Sequence, residues 1–136
     1  MPGANARALD KARSLDADVL ILDLEDAVAP DAKAEAREQV ARALREGGYG
    51  QRECVVRVNA LDTPWGQDDV AAIAQAGAHA VLLPKVQSAA QLDALAQALD
   101  AAGAPPDLPL WAMAETPLGF LRLDAIAGGH PRLAAI

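Results

Sequence analysis

Several features that mark particular classes of protein are scarce in this sequence. A single cysteine rules out an internal disulfide, and no charged-then-apolar signal segment opens the chain, so we expect a reduced, cytoplasmic setting. No apolar run approaches the roughly 18 residues of a membrane helix, which excludes a membrane span. Basic residues number 12 against 19 acidic ones, and the net charge of −7 disfavours nucleic acid as a partner.

What the sequence does contain is a regular alternation of strand and helix patterns over 136 residues, the length of one domain. The predicted strands are 18–24, 53–58, 80–83, 108–114 and 132–136. The predicted helices are 5–14, 30–46, 67–76, 88–102 and a further one from Thr116. This order predicts an α/β protein with a parallel sheet, either doubly wound or a (β/α)₈ TIM barrel.

Two observations favour the barrel over a doubly wound nucleotide-binding sheet. No glycine-rich phosphate motif follows any predicted strand, so a Rossmann unit loses support. The chain opens with a helix and closes within a strand, and a barrel normally needs about 200 residues or more. We therefore expect residues 1–136 to be an incomplete TIM barrel, roughly strands 2 to 5 and the start of strand 6, with the first strand upstream of Met1.

Charged residues recur where the predicted strands end, which is the edge that carries the chemistry in such folds. They are Asp23, Glu25 and Asp26 after the first strand, Arg57 in the second, Lys85 after the third and Glu115 after the fourth. Each has a structural explanation: Glu25 or Asp26 could cap a helix, Lys85 could be a solvated loop residue, and Arg57 could pair with Glu25. Their recurrence at successive strand ends predicts a shared polar site, because burying charges without partners is expensive.

The residue types in this predicted site indicate its chemistry. Several carboxylates, in a chain with only two histidines, suggest oxygen ligands for a hard cation such as Mg²⁺ rather than zinc. An arginine beside that cation suits a carboxylate or an α-keto acid, and the two together would stabilise an enolate. His79 and His130 are expected at the opposite end of the barrel, Cys54 in the core, and the Asp68-Asp69 pair at a helix start in a structural role.

Seven short segments resemble the citrate lyase β-subunit-like family of CoA-ester lyases, which is related to the HpcH/HpaI aldolases. They are MPG (1–3), ALDK (8–11), LDLEDAVAP (22–30), RVN (57–59), DTPW (62–65), LPKV (83–86) and ETP (115–117). The resemblance implies a complete (β/α)₈ barrel that uses Mg²⁺ to cleave a β-hydroxyacyl-CoA, such as malyl-CoA or citramalyl-CoA, into an acyl-CoA and an α-keto acid.

The resemblance also implies roles for individual residues. Arg57 would hold the oxygens of the keto acid, Glu115 would ligate Mg²⁺, and the catalytic Glu25 and Asp26 would support the water shell of the metal. Lys11 would contact the CoA phosphates, and Arg7 and Lys85 are further candidates for substrate binding. The second metal carboxylate of the family is expected beyond Ile136.

The leading hypothesis is thus a Mg²⁺-dependent CoA-ester lyase, with residues 1–136 as a partial lyase domain of a longer parent protein. Its partners would be a CoA thioester and an α-keto acid, and the full-length protein would form a homo-oligomer. The alternatives are an HpcH/HpaI-type aldolase acting on a free hydroxy acid and an acyl-CoA thioesterase. The isolated chain itself is expected to be inactive, since half a barrel exposes unpaired strand edges.

Overall fold

The computed structural model describes all 136 residues, and it alternates helices with strands as the sequence predicts. The strands are β1 Val19–Asp23, β2 Glu53–Arg57, β3 Ala80–Leu83, β4 Leu110–Ala112 and β5 Leu133–Ala135. The helices are α1 Ala6–Ala12, α2 Lys33–Glu46, α3 Gly66–Ile73, α4 Ala89–Ala101, α5 Pro117–Leu121 and α6 Leu123–Ala127, with a 3₁₀ turn at Pro30–Ala32. None of these helices is both long and apolar enough to cross a membrane.

The five strands form one parallel sheet whose strand order is the order of the chain, β1-β2-β3-β4-β5. A doubly wound sheet reverses its strand order at a switch point, whereas a (β/α)₈ barrel does not. The topology is therefore that of consecutive units of a barrel. Asp23 at the end of β1 lies directly opposite Arg57 at the end of β2.

The two faces of the sheet carry different residues, as the alternation of side chains along a strand requires. One face packs against the helices in a core of 30 buried residues that includes Leu22 and Val56. The other face, which is the inner face of a barrel, carries a small apolar cluster of Val55, Ala80 and Leu82. Arg57 is two residues beyond Val55 and so lies on this inner face, at the C-terminal ends of the strands.

Residues Met1 to Gly3 extend the sheet beyond β1. Pro2 forms a parallel bridge with Asp23, and the N–H groups of Asp23 and Gly3 donate to Met1 O and Asp23 O, both at 2.8 Å. Only glycine fits at position 3, because a Cβ there would lie 2.8 Å from both Asp23 O and Val40 Cγ2. Residues 1–3 thus pair with the end of β1 through a single bridge and do not form a strand of their own.

Most predicted elements differ from the observed ones by one to three residues at an end, and three differences change an element itself. The strand predicted at 108–114 is shortened to Leu110–Ala112, and it begins after Pro109, which has no N–H to donate to the sheet. The helix predicted from Thr116 is two short helices, because the Arg122 N–H closes α5 with a bond to Gly119 O at 3.1 Å. The helix predicted at 30–46 opens with a 3₁₀ turn, and α2 itself begins at Lys33.

Candidate active site

Arg57 is the centre of a cluster of charges at the C-terminal ends of β1 and β2. Its Nε and Nη2 donate to the two carboxylate oxygens of Asp23 at 2.7 and 2.6 Å, and its Nη1 lies 3.2 Å from Glu25 Oε2. The hydrogen bond to Asp23 raises the pKa of Arg57 further above its ordinary value. The ion pair between Arg57 and Glu25 considered from the sequence is present, but Asp23 makes the bidentate contact.

Asp23 anchors both the guanidinium and the loop that follows β1. Its carboxylate oxygens also accept the N–H groups of Glu25 at 2.9 Å and Ala27 at 3.0 Å. Burial raises the pKa of Asp23, but the hydrogen bonds from Arg57 and from these two N–H groups outweigh it, so the pKa lies below its ordinary value. Asp23 is therefore held ionised, with both of its oxygens engaged. Sequence analysis placed it in the cluster without giving it a role.

Lys85 joins the carboxylates of two different strand ends. Its Nζ donates to Glu25 Oε1 and lies 3.6 Å from Asp26 Oδ1, and its backbone N–H donates to Glu115 Oε1 at 3.1 Å. The hydrogen bond to Glu25 raises the pKa of Lys85. Lys85 is also the only residue other than glycine with a positive φ, 54°. Such backbone strain concentrates at functional sites.

The structure therefore brings five of the seven predicted site residues into one cluster: Glu25, Asp26, Arg57, Lys85 and Glu115. Glu25 is buried beneath Arg57 and Lys85, whereas Asp26 and Glu115 are exposed. Parallel strands in sequential order place all their C-terminal ends along one edge, which is why the rim pattern in the sequence was informative.

The other two predicted residues, Arg7 and Lys11, lie apart from this cluster. Both are exposed on α1, with Lys11 in its last turn, and neither lines the cavity described below. Their contact with CoA phosphates remains a prediction. The histidines are also elsewhere, as expected: His79 Nδ1 accepts the Cys54 N–H at the start of β2, and His130 lies 4.0 Å from Asp93.

A cavity of about 490 Å³ opens beside the cluster, at the C-terminal edge of the sheet. Most of its lining residues are polar or charged, among them Glu25, Asp26, Asn59, Thr63, Lys85 and Thr116. Arg57 and Glu115 are not lining residues, but they reach its walls through their contacts with Glu25 and Lys85. A small polar substrate could therefore meet charges of both signs in this space.

Lys33 is a site residue that sequence analysis missed. It is buried, and its Nζ donates to Leu24 O at 2.8 Å, Glu25 O at 2.7 Å and Asn59 Oδ1 at 2.8 Å. Burial lowers the pKa of Lys33, although nearby carboxylates act in the opposite direction. A signal was available in the sequence: Lys33 is three and seven residues before Ala36 and Val40, so it falls on the buried stripe of α2.

The carboxylates suit a hard cation, but only as a partial ligand set. No group of three or more His, Cys, Asp or Glu residues in the chain is placed to hold a metal ion alone. Glu115 is exposed, and one of its oxygens is bonded to the Lys85 N–H. Mg²⁺ takes one or two carboxylates and keeps several waters. Glu115 could therefore supply one carboxylate ligand, and water, substrate oxygens or a second carboxylate would complete the set.

Fold and site together define consecutive units of a (β/α)₈ barrel with a charged rim, and comparison with known proteins assigns the family. The chain belongs to the HpcH/HpaI aldolase/citrate lyase family, whose model matches residues 1–136. It is 49% identical over 136 residues to a (3S)-malyl-CoA thioesterase of Cereibacter sphaeroides. It is 38% identical over 142 residues to an L-malyl-CoA/β-methylmalyl-CoA lyase of the same species.

These matches cover 100% and 99% of the chain but 45% of each relative, so the chain spans about half the length of the curated relatives it matches. A solved citrate lyase β subunit from M. tuberculosis, complexed with oxaloacetate and magnesium, is 35% identical with a TM-score of 0.71. That match covers 99% of this chain and 54% of the solved one. The family and the incomplete TIM barrel expected from the sequence are both confirmed.

Proposed function

We propose that the parent protein of this chain is a Mg²⁺-dependent carbon–carbon lyase that cleaves a β-hydroxyacyl-CoA of the malyl-CoA type. The observation that carries the proposal is the Arg57 guanidinium, which is held by Asp23 and contacts Glu25, a residue that lines the cavity. The products would be an acyl-CoA and an α-keto acid. A relative 38% identical to the chain is named as a malyl-CoA and β-methylmalyl-CoA lyase, which supports this substrate class.

Arg57 would bind the keto-acid half of the substrate. Asp23 accepts two of the five guanidinium N–H groups, and Nη1 lies 3.2 Å from Glu25 Oε2 and 3.8 Å from Met113 Sδ. The second N–H of Nη2 is therefore available for a substrate oxygen, and Nη1 would bind one by giving up its weaker contact with the Met113 sulfur. Because Asp23 fixes the plane of the guanidinium, the substrate meets a donor that is already oriented.

The carboxylates next to Arg57 would accept and transfer the proton of the substrate's β-hydroxyl group. Cleavage needs a base for the β-hydroxyl proton. Three carboxylates line the cavity, Glu25, Asp26 and Asp62, and the first two belong to the charge cluster through their contacts with Lys85. The acyl-CoA leaves as an enolate, so one proton must be delivered to its α-carbon; Asp26, which is exposed, could exchange the abstracted proton with water and return one to that carbon. Mg²⁺, held in part by Glu115, would supply electrostatic stabilisation of the oxygen charge that develops during cleavage.

Hydrolysis of the thioester of the same substrate is a second candidate, and one observation favours it. The relative that is 49% identical to this chain is named a (3S)-malyl-CoA thioesterase. In that reaction water attacks the thioester carbon, and free CoA and malate leave with the carbon skeleton intact. The same Arg57 contact would then hold the terminal carboxylate of the malyl group.

A product assay on the full-length protein separates the two reactions. Purified protein is incubated with (3S)-malyl-CoA and MgCl₂, with an EDTA-treated sample as the metal control. Glyoxylate trapped as its phenylhydrazone, without free thiol, is the result expected for the lyase. Free CoA thiol without glyoxylate would establish the thioesterase instead. The absence of both products, or equal activity on free malate, would overturn the proposal of a CoA-ester substrate.

A further inference from the structure

Lys33 has contacts that are unusual for a buried cation. Only 6% of the residue is exposed, yet its three acceptors, Leu24 O, Glu25 O and Asn59 Oδ1, are all uncharged oxygens. An ammonium group has three N–H donors, so all of its hydrogen-bonding capacity is used within the protein. Although Lys33 lines the cavity, it has no donor left for a substrate.

The three acceptors belong to the ends of two neighbouring strands. Leu24 and Glu25 are the first residues after β1, and Asn59 follows β2 by two residues. Burying a charge is costly unless it is well solvated by the protein, and an apolar side chain would fill the same space at lower cost. The burial of Lys33 has a structural consequence: it fixes two consecutive carbonyl groups, those of Leu24 and Glu25, in place.

Asn59, one of the three acceptors of Lys33, is itself held by further hydrogen bonds. Asn59 Nδ2 donates to Leu24 O at 2.8 Å and to Asp69 Oδ2 at 2.6 Å. Asp69 is fully buried at the start of α3 and also accepts Arg37 Nε at 2.9 Å. Lys33 therefore ties the loop after β1 to a network anchored in α2 and α3. This loop carries Glu25 and Asp26.

We propose that Lys33 is a positioning residue that fixes the backbone of Leu24 and Glu25 and so sets where the Glu25 and Asp26 carboxylates stand at the cavity. For its effect on catalysis, this inference rests on the function proposed above. Its structural part, the ordering of the loop, can be measured whatever the protein catalyses.

The test compares Lys33→Met with Arg52→Met in the full-length protein. Arg52 is a matched control, because its guanidinium also donates to two carbonyls, Leu15 O at 2.6 Å and Tyr49 O at 3.0 Å, but before β2 at the opposite end of the sheet. Amide hydrogen exchange is followed in a peptide covering residues 24–28. We expect Lys33→Met to speed exchange there by about tenfold or more, the effect of losing a charge-assisted hydrogen bond, and Arg52→Met to leave it unchanged.

Kinetics supply the readout that a merely structural role would not move. Lys33→Met should lower kcat by about 10²-fold per folded molecule, as expected for misplaced catalytic groups, with little change in KM. Arg52→Met should change neither. If Lys33→Met does not fold, Lys33→Ala with added propylammonium, the group that this substitution deletes, should restore kcat, whereas propanol should not.

Three outcomes would overturn the inference: unchanged exchange over 24–28, equal kinetic losses in the two methionine variants, or rescue by propanol as effective as rescue by propylammonium. If the unmodified protein has no activity on malyl-CoA, the proposed function fails. Hydrogen exchange then decides the role of Lys33 by itself.

Discussion

The contact between Arg57 and Asp23 makes the most demanding prediction about stability. Arg57→Met leaves two carboxylates, with side-chain exposures of 7% for Asp23 and 9% for Glu25, without the guanidinium that compensates them. Breaking a buried ion pair from one side costs about 3–5 kcal/mol. Arg57→Lys keeps the charge but loses one of the two parallel hydrogen bonds to Asp23. We therefore expect the free energy of unfolding to fall by about 1.5–3 kcal/mol, the contribution of one hydrogen bond to a charged group.

Urea unfolding followed by circular dichroism at pH 7 measures these losses. A double-mutant cycle with Asp23→Asn isolates the coupling between the two residues, which we expect near the upper end of the usual range of about 0.5–3 kcal/mol. A loss below about 1 kcal/mol for Arg57→Met, which is typical of exposed pairs, would refute the reasoning. So would a coupling energy of zero.

Acid unfolding gives an independent check on the same pair. The folded pKa of Asp23 lies below its ordinary value of 3.8, so its contribution is fully present above that pH and is lost as the pH falls through the folded value. Asp23→Asn should therefore flatten the stability profile below about pH 4. In Arg57→Met the folded pKa of Asp23 moves up towards or above its ordinary value, so the loss of stability at acid pH should shrink there too. If stability fell equally with pH below about pH 4 in the unmodified protein and in both variants, Asp23 would not be the group responsible.

Further predictions concern the metal, the CoA thioester and the packing of the N-terminal segment. Glu115→Gln in the full-length protein should lower the rate by at least about 10²-fold and raise the Mg²⁺ concentration needed for half-maximal activity. Full activity of this variant at limiting Mg²⁺ would show that Glu115 is not a metal ligand. Titration calorimetry of the 136 residues with MgCl₂ should show no binding tighter than millimolar, because their ligand set is partial; a micromolar site would contradict this. Lys11→Ala should raise KM for the CoA thioester with little change in kcat, and an unchanged KM would argue against the phosphate contact. Gly3→Ala should destabilise the fold by about 1–3 kcal/mol through the clash with Asp23 O, visible as a lower Tm, and an unchanged Tm would mean that the backbone yields.

The elements and the rim cluster could be predicted because they depend on short-range patterns. Apolar runs bounded by helix signals located all five strands, and the order of parallel strands then placed Glu25, Arg57 and Lys85 at one edge. The partner of Arg57 depends on strand register, which no local pattern encodes. A slip of one residue would move Asp23 away from Arg57 and onto the other face of the sheet.

Long-range polar contacts were the part that the sequence did not reveal. Asp69 was predicted to have a structural role at a helix start, and it does, but its burial against Asn59 and Arg37 depends on how α2 and α3 meet at the end of β2. Lys33 looked like one more charge in a charged, alanine-rich helix. Its periodicity with Val40 indicated burial, yet the three oxygens that make burial tolerable come from segments 8 to 26 residues away.

Because strand order follows chain order, each strand from β2 to β5 joins the strand made immediately before it. During synthesis, at about 5–20 residues per second, every new strand emerges next to an edge that is already formed. Among these five strands no pairing has to wait for a later segment, so the entropy of loop closure is lost one βα unit at a time. The same geometry leaves the latest strand as an open edge at each stage. A slow-translating stretch within the parent gene would therefore prolong the stage at which that edge is exposed to self-association.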